Sequence, residues 1–415
     1  MKKIISYFYI IVSLAPLIAY YLYQVSSIHD FYWYARICIT ILGIGLILES
    51  LAFKKKLTIP SFLIPLFFYT IYLMVWAMVN GDLQRRGVLY FFNNGNIQTI
   101  LMILICYNIT LSNKLKDYLI NIFFITVIIS ALVSIYQIYN PSFLLTDIKS
   151  NVWDIYQIRR GSIFSIIDPL DIGLSLLPIL SILIVEYINM NKNINIIMLL
   201  LFLGGLVSVL SNTRWIMVAY IIILMMIIFH YNPTFFGKTR NIIIVLISIF
   251  IIIISIIYFG YDLKAFWQKR LFPEGSLLYT TRYYALENFN IFFPRKPWFG
   301  TGVHLTDEIY ITSLAVGSSQ IHVGYLSHLI SYGMVGSFFL FGFWIWLAIT
   351  LWRHAKITGY WGSFYTFLIF LWGEASWVHF SLFHYGIIFA LIFDNYYLNN
   401  YYNNNYYNNN FNNIY

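Results

Sequence analysis

From Asn241 to Phe259 the chain carries no charged side chain, and runs of this kind recur along its whole length. A helix needs about 20 apolar residues to cross a bilayer, and a soluble core has no use for so many of that length. The backbone groups of such a run must be satisfied inside lipid, which helices achieve segment by segment. The spacing predicts spans at 5–24, 34–53, 59–79, 95–111, 118–139, 163–187, 195–212, 215–231, 241–259, 323–352, 361–379 and 381–395. The expected fold is therefore an all-α, polytopic transmembrane helical bundle of about 12 spans. Charged residues make up 10% of the chain, against about a quarter in soluble domains. The net charge of +9 then belongs to loops meeting anionic lipid or substrate, with no nucleic acid implied.

The organisation follows from the connectors. Residues 1–259 hold spans 1–9, 260–322 form one long outward-facing loop before the tenth span, and 323–395 hold spans 10–12. Met1-Lys2-Lys3 ahead of the first apolar run reads as the start of an uncleaved span. Residues 396–415 are almost entirely Asn and Tyr, a composition that reads as a disordered low-complexity tail. Cys38 and Cys106 sit in apolar runs as small core residues. No internal repeat is visible, which counts against the inverted-repeat transporters.

Positive charge is sorted by type. Alternate connectors, starting with the N-terminus, hold ten lysines and two arginines, and the opposite set holds nine arginines and four lysines. The totals nearly cancel, so the orientation rests on the lysines at the ends of short loops, which put that side and both termini in the cytoplasm. Arginines on the outer side then run against the usual bias and ask for another cause. The guanidinium fork binds phosphate bidentately and stays charged when partly desolvated. Arg85, Arg86, Arg159, Arg160, Arg214, Arg270, Arg282 and Arg295 all fall on this side.

Arg214 follows Ser211-Asn212-Thr213 at a tight turn between two spans. It is either a ligand-binding charge or one that reaches headgroups or an ion-pair partner. Asp168 and Asp171 flank Pro169, three apart and on one helix face, and either support a site or neutralise Arg160 or Arg214. Glu49 and Glu186 lie near span ends and read as snorkelling carboxylates. Glu374, between Trp372 and Trp377, reads as a charge inside the bundle. Adjacent Asp307 and Glu308 make a weak cation site, and no metal or cofactor is expected.

The outer segment holds a helical-looking stretch at Arg282–Glu287 and then Pro294-Arg295-Lys296-Pro297-Trp298-Phe299-Gly300-Thr301-Gly302, a turn with little side-chain bulk. His304 follows it, and His322 stands just before the tenth span. Gly333-Met334-Val335-Gly336 lies within that span, where small residues allow close helix approach. His328, six residues after His322, reads as a packed residue.

Taken in order, a Ser/Asn turn with Arg, a long loop carrying Arg, a Pro-x-x-Gly-x-Gly turn and a His with Gly eleven and fourteen residues later form a pattern. It resembles the O-antigen ligase and Wzy-type O-antigen polymerase superfamily over roughly residues 160–340. Val323 departs from that pattern, which has a polar residue after the His. The resemblance implies a glycosyltransferase-type enzyme of the bacterial inner (cytoplasmic) membrane. It would act on polyprenyl-diphosphate-linked glycan donor and acceptor at the outer face, without metal or cofactor, alongside a chain-length regulator and a flippase. His322 would be the catalytic base. Arg214, Arg282 and Arg160 would bind diphosphate, with Asp168, Asp171, His304 and Arg295 in support.

The leading expectation is a glycan polymerase that builds O-antigen, capsule or exopolysaccharide. The nearest alternative is a ligase that moves finished glycan to a lipid A core or a protein. A lipid-linked oligosaccharide transporter would share the apolar spans but would not need a large loop carrying His and Arg.

Overall fold

The computed structural model describes residues 31–53, 57–80, 96–109, 111–140, 143, 162–163, 172–190, 194–230, 235–258, 281–302, 323–375 and 385–412. Every regular element among them is helical. In chain order these are α1 (Phe31–Ala52), α2 (Leu63–Val79), α3 (Asn96–Asn108), α4 (Asn113–Tyr139), a π-turn (Ile172–Leu176) running into α5 (Leu177–Asn189), α6 (Ile194–Leu210) and α7 (Arg214–His230). There follow α8 (Phe235–Tyr258), α9 (Thr281–Phe292) with a 3₁₀ turn (Phe293–Arg295), α10 (Gly324–Thr358), α11 (Gly362–Glu374) and α12 (Tyr385–Asn412).

Among the described residues, four helices are long and apolar enough to cross a membrane: Asn113–Tyr139, Ile172–Asn189, Gly237–Ser255 and Gly324–Thr358. Shorter apolar helices include Leu63–Val79, Ile194–Leu210 and Arg214–His230. The outside of the bundle is compatible with a multi-pass membrane protein. On α4 the polar residues Thr126, Ser130, Ser134 and Gln137 face inward, while Ile125, Ile129, Leu132 and Tyr136 are exposed. On α8, Asn241 and Ser248 are buried while Ile243, Leu246, Phe250 and Ile254 point outward. A surface of isoleucine and phenylalanine over a partly polar interior reverses the order found in water. Inward hydroxyls close onto carbonyls one turn back, as in Thr126 Oγ1 to Ile122 O at 2.8 Å and Ser248 Oγ to Ile244 O at 2.9 Å.

The centre of the bundle is α5, in which every residue from Leu177 to Glu186 is buried. It packs against α4, α6, α11 and α12. α10 lies along α2 and α11, and α1 lies along α3.

Alternate connectors meet at each end. At one end Asn108 exchanges two 2.9 Å hydrogen bonds with Thr58, Lys116 Nζ lies 3.1 Å from Glu186 Oε2, and His354 Nδ1 lies 2.7 Å from Asp394 Oδ2. This is the end that carries the lysines. At the other, Gln137 Oε1 accepts from Ser162 N at 3.2 Å and Trp372 Nε1 donates to Trp215 O at 3.0 Å. This is the end at which Arg214 and Arg295 stand.

Two expectations need correction here. Glu49 and Glu186 do not snorkel; both are buried, and Glu186 reaches Lys116 of α4 inside the bundle. The Asn/Tyr-rich segment continues α12 as helix to Asn412. Its first residues are anchored, with Asn395 Nδ2 on the carbonyls of Cys106 and Ile109 at 3.2 and 3.1 Å and Tyr396 Oη on Asn113 Oδ1 at 2.6 Å. The tenth span, as α10, carries a break that its sequence bounds did not address: Gly333 has φ 64° and ψ −170°.

Candidate functional site

The arginine end is built from local backbone irregularities. Between α6 and α7, Ser211, Asn212 and Thr213 turn the chain back while buried. Ser211 Oγ donates to Ser208 O at 2.6 Å and accepts from Thr213 N at 3.3 Å. Asn212 takes φ +54°, a left-handed conformation that asparagine tolerates better than most residues. Arg214 is the first residue of α7 and is half-buried. A cation at a helix N-terminus opposes the macrodipole, so this corner favours an anion twice over.

Trp215, the next residue, is held from two sides. Its carbonyl accepts from Trp372 of α11. Its ring fills the space over Gly173 in the π-turn, where a Cβ would lie 1.9 Å from the indole. A π-turn places one extra residue in a helical turn and is frequent at functional sites.

Two residues beyond Trp372, Glu374 closes α11. Its Oε2 lies 3.4 Å from His328 Nε2, and both side chains are wholly buried. The His328 ring packs against Tyr332 and the edge of Trp344. One turn before His328, Tyr325 Oη donates to Leu371 O. His328 is packed inside the bundle, as its sequence place implies, with the buried Glu374 carboxyl beside it.

The break at Gly333 has a specific filler. The turn 297–302 substitutes for the helix's own hydrogen-bond partners. Thr301 N and Gly302 N donate to Ile330 O and Ser331 O, both at 3.0 Å, while Met334 N and Val335 N donate to Pro297 O at 2.8 Å and Trp298 O at 3.0 Å. The approach is so close that a Cβ on Gly300 would meet Ser331 O at 2.4 Å, and one on Gly333 would meet Gly300 N at 2.4 Å. Gly300, Gly302 and Gly333 all have positive φ, at 75°, 78° and 64°. The Pro-x-x-Gly-x-Gly turn and the Gly-x-x-Gly stretch are therefore two halves of one clamp. It isolates Gly324–Tyr332 as a separate half-helix.

The expected site residues distribute as follows. Arg214 stands at the turn already given. Arg295 is exposed at the start of the clamp turn, its guanidinium 4.7 Å from the centre of the Phe292 ring. Arg282 lies in α9, as the helical-looking sequence implied, with its side chain outside the described residues. His322, Arg160, Asp168, Asp171 and His304 lie outside the described residues. The contacts Trp215–Trp372 and Glu374–His328 link the Arg214 turn to the half-helix that begins two residues after His322. Tyr72, Gly173 and the His328–Glu374 pair were not singled out for the site by sequence; only the isolated Glu374 carried a signal. No protein-family model matches the chain, and no curated protein matches it.

Proposed function

We propose that this protein is a membrane glycan polymerase. In this reading it transfers a growing polyprenyl-diphosphate-linked glycan onto the next lipid-linked repeat unit at the outer face of a bacterial inner membrane. The carrying observation is the clamp: the two glycine motifs of the resemblance, separated in sequence, interlock by backbone hydrogen bonds at the arginine end. The helix that follows His322 begins there.

The chemistry asks little of an acid. The acceptor sugar hydroxyl attacks the anomeric carbon of the donor. The bond from that carbon to the phosphate oxygen breaks, and the polyprenyl diphosphate leaves as an anion. The hydroxyl proton goes to the imidazole of His322, acting as general base. Arg214, Arg282 and Arg160 would bind the departing diphosphate, where charge develops. Metal and cofactor are not needed for this balance.

Replacing His322 with Ala tests it. Polymer formation from lipid-linked repeat units by purified protein in nanodiscs should fall about 10²–10⁴-fold at unchanged expression. Near-normal polymer from His322→Ala removes the base assignment. A deletion strain that still makes full-length polymer but cannot attach it would turn the reading to a ligase. Unchanged synthesis inside the cell with loss of outward movement would turn it to a transporter.

A further inference from the structure

Tyr72 of α2 sends its hydroxyl to both halves of the clamp at once: 2.6 Å to Phe299 O in the turn and 2.8 Å to Tyr332 O, the last residue of the half-helix. One hydroxyl proton serves two carbonyls from segments far apart in sequence. The ring reaches that point because Gly336 leaves room for it; a Cβ there would meet Tyr72 Cε1 at 2.5 Å. This gives the second glycine of Gly333-x-x-Gly336 a physical role distinct from the first. Gly333 admits the turn, and Gly336 admits the tyrosine that pins it.

We infer that Tyr72 is a positioning residue for the transfer reaction: its hydroxyl locks the end of the outer loop and the half-helix Gly324–Tyr332 to α2. The inference rests on the polymerase reading for its functional consequence. His322 precedes Gly324 by two residues in the chain, and on that reading the half-helix carries the base. The half-helix has a second anchor on the other side, through Tyr325 to Leu371 O and His328 to Glu374. Tyr72 supplies a polar restraint from α2, where Tyr69 and Trp76 also pack on Tyr332 and Phe299, and its hydroxyl touches turn and half-helix together.

Tyr72→Phe removes the hydroxyl and keeps the ring over Gly336. Two measurements on the full-length protein in nanodiscs decide the matter. Hydrogen exchange at the amides of Thr301, Gly302, Met334 and Val335 should quicken in the variant, with the thermal transition of the bundle unmoved. In polymer synthesis kcat should fall about tenfold to a hundredfold, as misplacement of a catalytic group predicts, with KM for donor and acceptor kept within about twofold. Gly336→Ala, which crowds the same ring and Tyr332 Cβ, should also lower kcat and quicken exchange at the same amides. Unchanged exchange at those amides overturns the lock. Loss of activity that tracks a lowered thermal transition, or native kcat in Tyr72→Phe, overturns the positioning role. If the native protein makes no polymer in the same assay, the polymerase reading fails, and the exchange measurement still decides whether Tyr72 holds the clamp.

Discussion

His328 Nε2 and Glu374 Oε2 face each other at 3.4 Å across the α10–α11 interface, with neither side chain reachable by solvent. A buried pair adds little net stability, but removing one member strands the other in a medium that solvates it poorly. Measured couplings inside membranes are smaller than in soluble cores, averaging about 0.6 kcal/mol with larger cases near 1.7 kcal/mol. His328→Ala and Glu374→Ala should each destabilise the bundle by about 1–3 kcal/mol, whereas His328→Leu combined with Glu374→Leu should recover most of that loss. A double-variant cycle on denaturation in detergent measures the coupling. Strict additivity of the two single variants would show that the contact carries no energy.

The glycines of α10 offer an internal comparison. Gly333 combines φ 64° with ψ −170°, a region open in practice to glycine alone, and a Cβ there would strike the backbone of the turn. Gly342 lies nine residues on in regular helix, and a Cβ there meets nothing within 4 Å. Gly333→Ala should lower the thermal transition through about 1–3 kcal/mol of strain together with loss of clamp hydrogen bonds. Gly342→Ala should be neutral or stabilising by up to about 1 kcal/mol from helix propensity. Equal effects at the two positions would refute the clamp as a stabilising device.

Among the described residues the helices were legible because apolar runs are interrupted by charge and asparagine, and the long-range contacts were not. The sequence predicts a span from residue 118, yet α4 begins at Asn113, where Ser112 Oγ accepts from Leu115 N at 3.3 Å. Lys114, Lys116 and Asp117 lie in its first turns and disguise the start. Glu186 reads as an interfacial charge until Lys116, on another helix, is brought to it. A lone glycine inside an apolar run reads as continuous helix, so the Gly333 break needed the turn at 297–302 to be seen. Both glycine motifs were visible as strings, but nothing in their separation says that they meet. Tyr72 carried no signal at all, being one tyrosine in an apolar helix.

The Asn/Tyr-rich extension of α12 divides into an anchored part and an exposed part. Asn395, Tyr396 and Tyr397 engage the lysine end, the last stacking on the buried Tyr360 with ring centres 4.4 Å apart. Tyr401 and Tyr402 are exposed. Removing residues 401–415 should leave the thermal transition within about 1 °C of the full chain, since surface changes are usually worth under ~0.5 kcal/mol. Removing 395–415 should lower it by several degrees and reduce the steady-state amount in membranes, because the carbonyls of Cys106 and Ile109 lose their donor. Equal behaviour of the two truncations would make the whole extension dispensable.

Arg214 separates charge from shape. At the first position of α7 it stands against the helix dipole, a placement that a bound anion would reward. If it grips diphosphate through its fork, Arg214→Lys keeps the charge and loses the bidentate geometry. Arg214→Lys should then raise the KM for the lipid-linked donor about tenfold, and Arg214→Ala should raise it further while also lowering kcat, because the same group stabilises the leaving diphosphate. Inorganic diphosphate should compete with donor in the native protein, and competition should weaken in both variants. A lysine variant with native KM and native competition would mean that a point charge suffices. An alanine variant with native kinetics would remove Arg214 from the reaction and leave it as a structural residue of the α6–α7 turn.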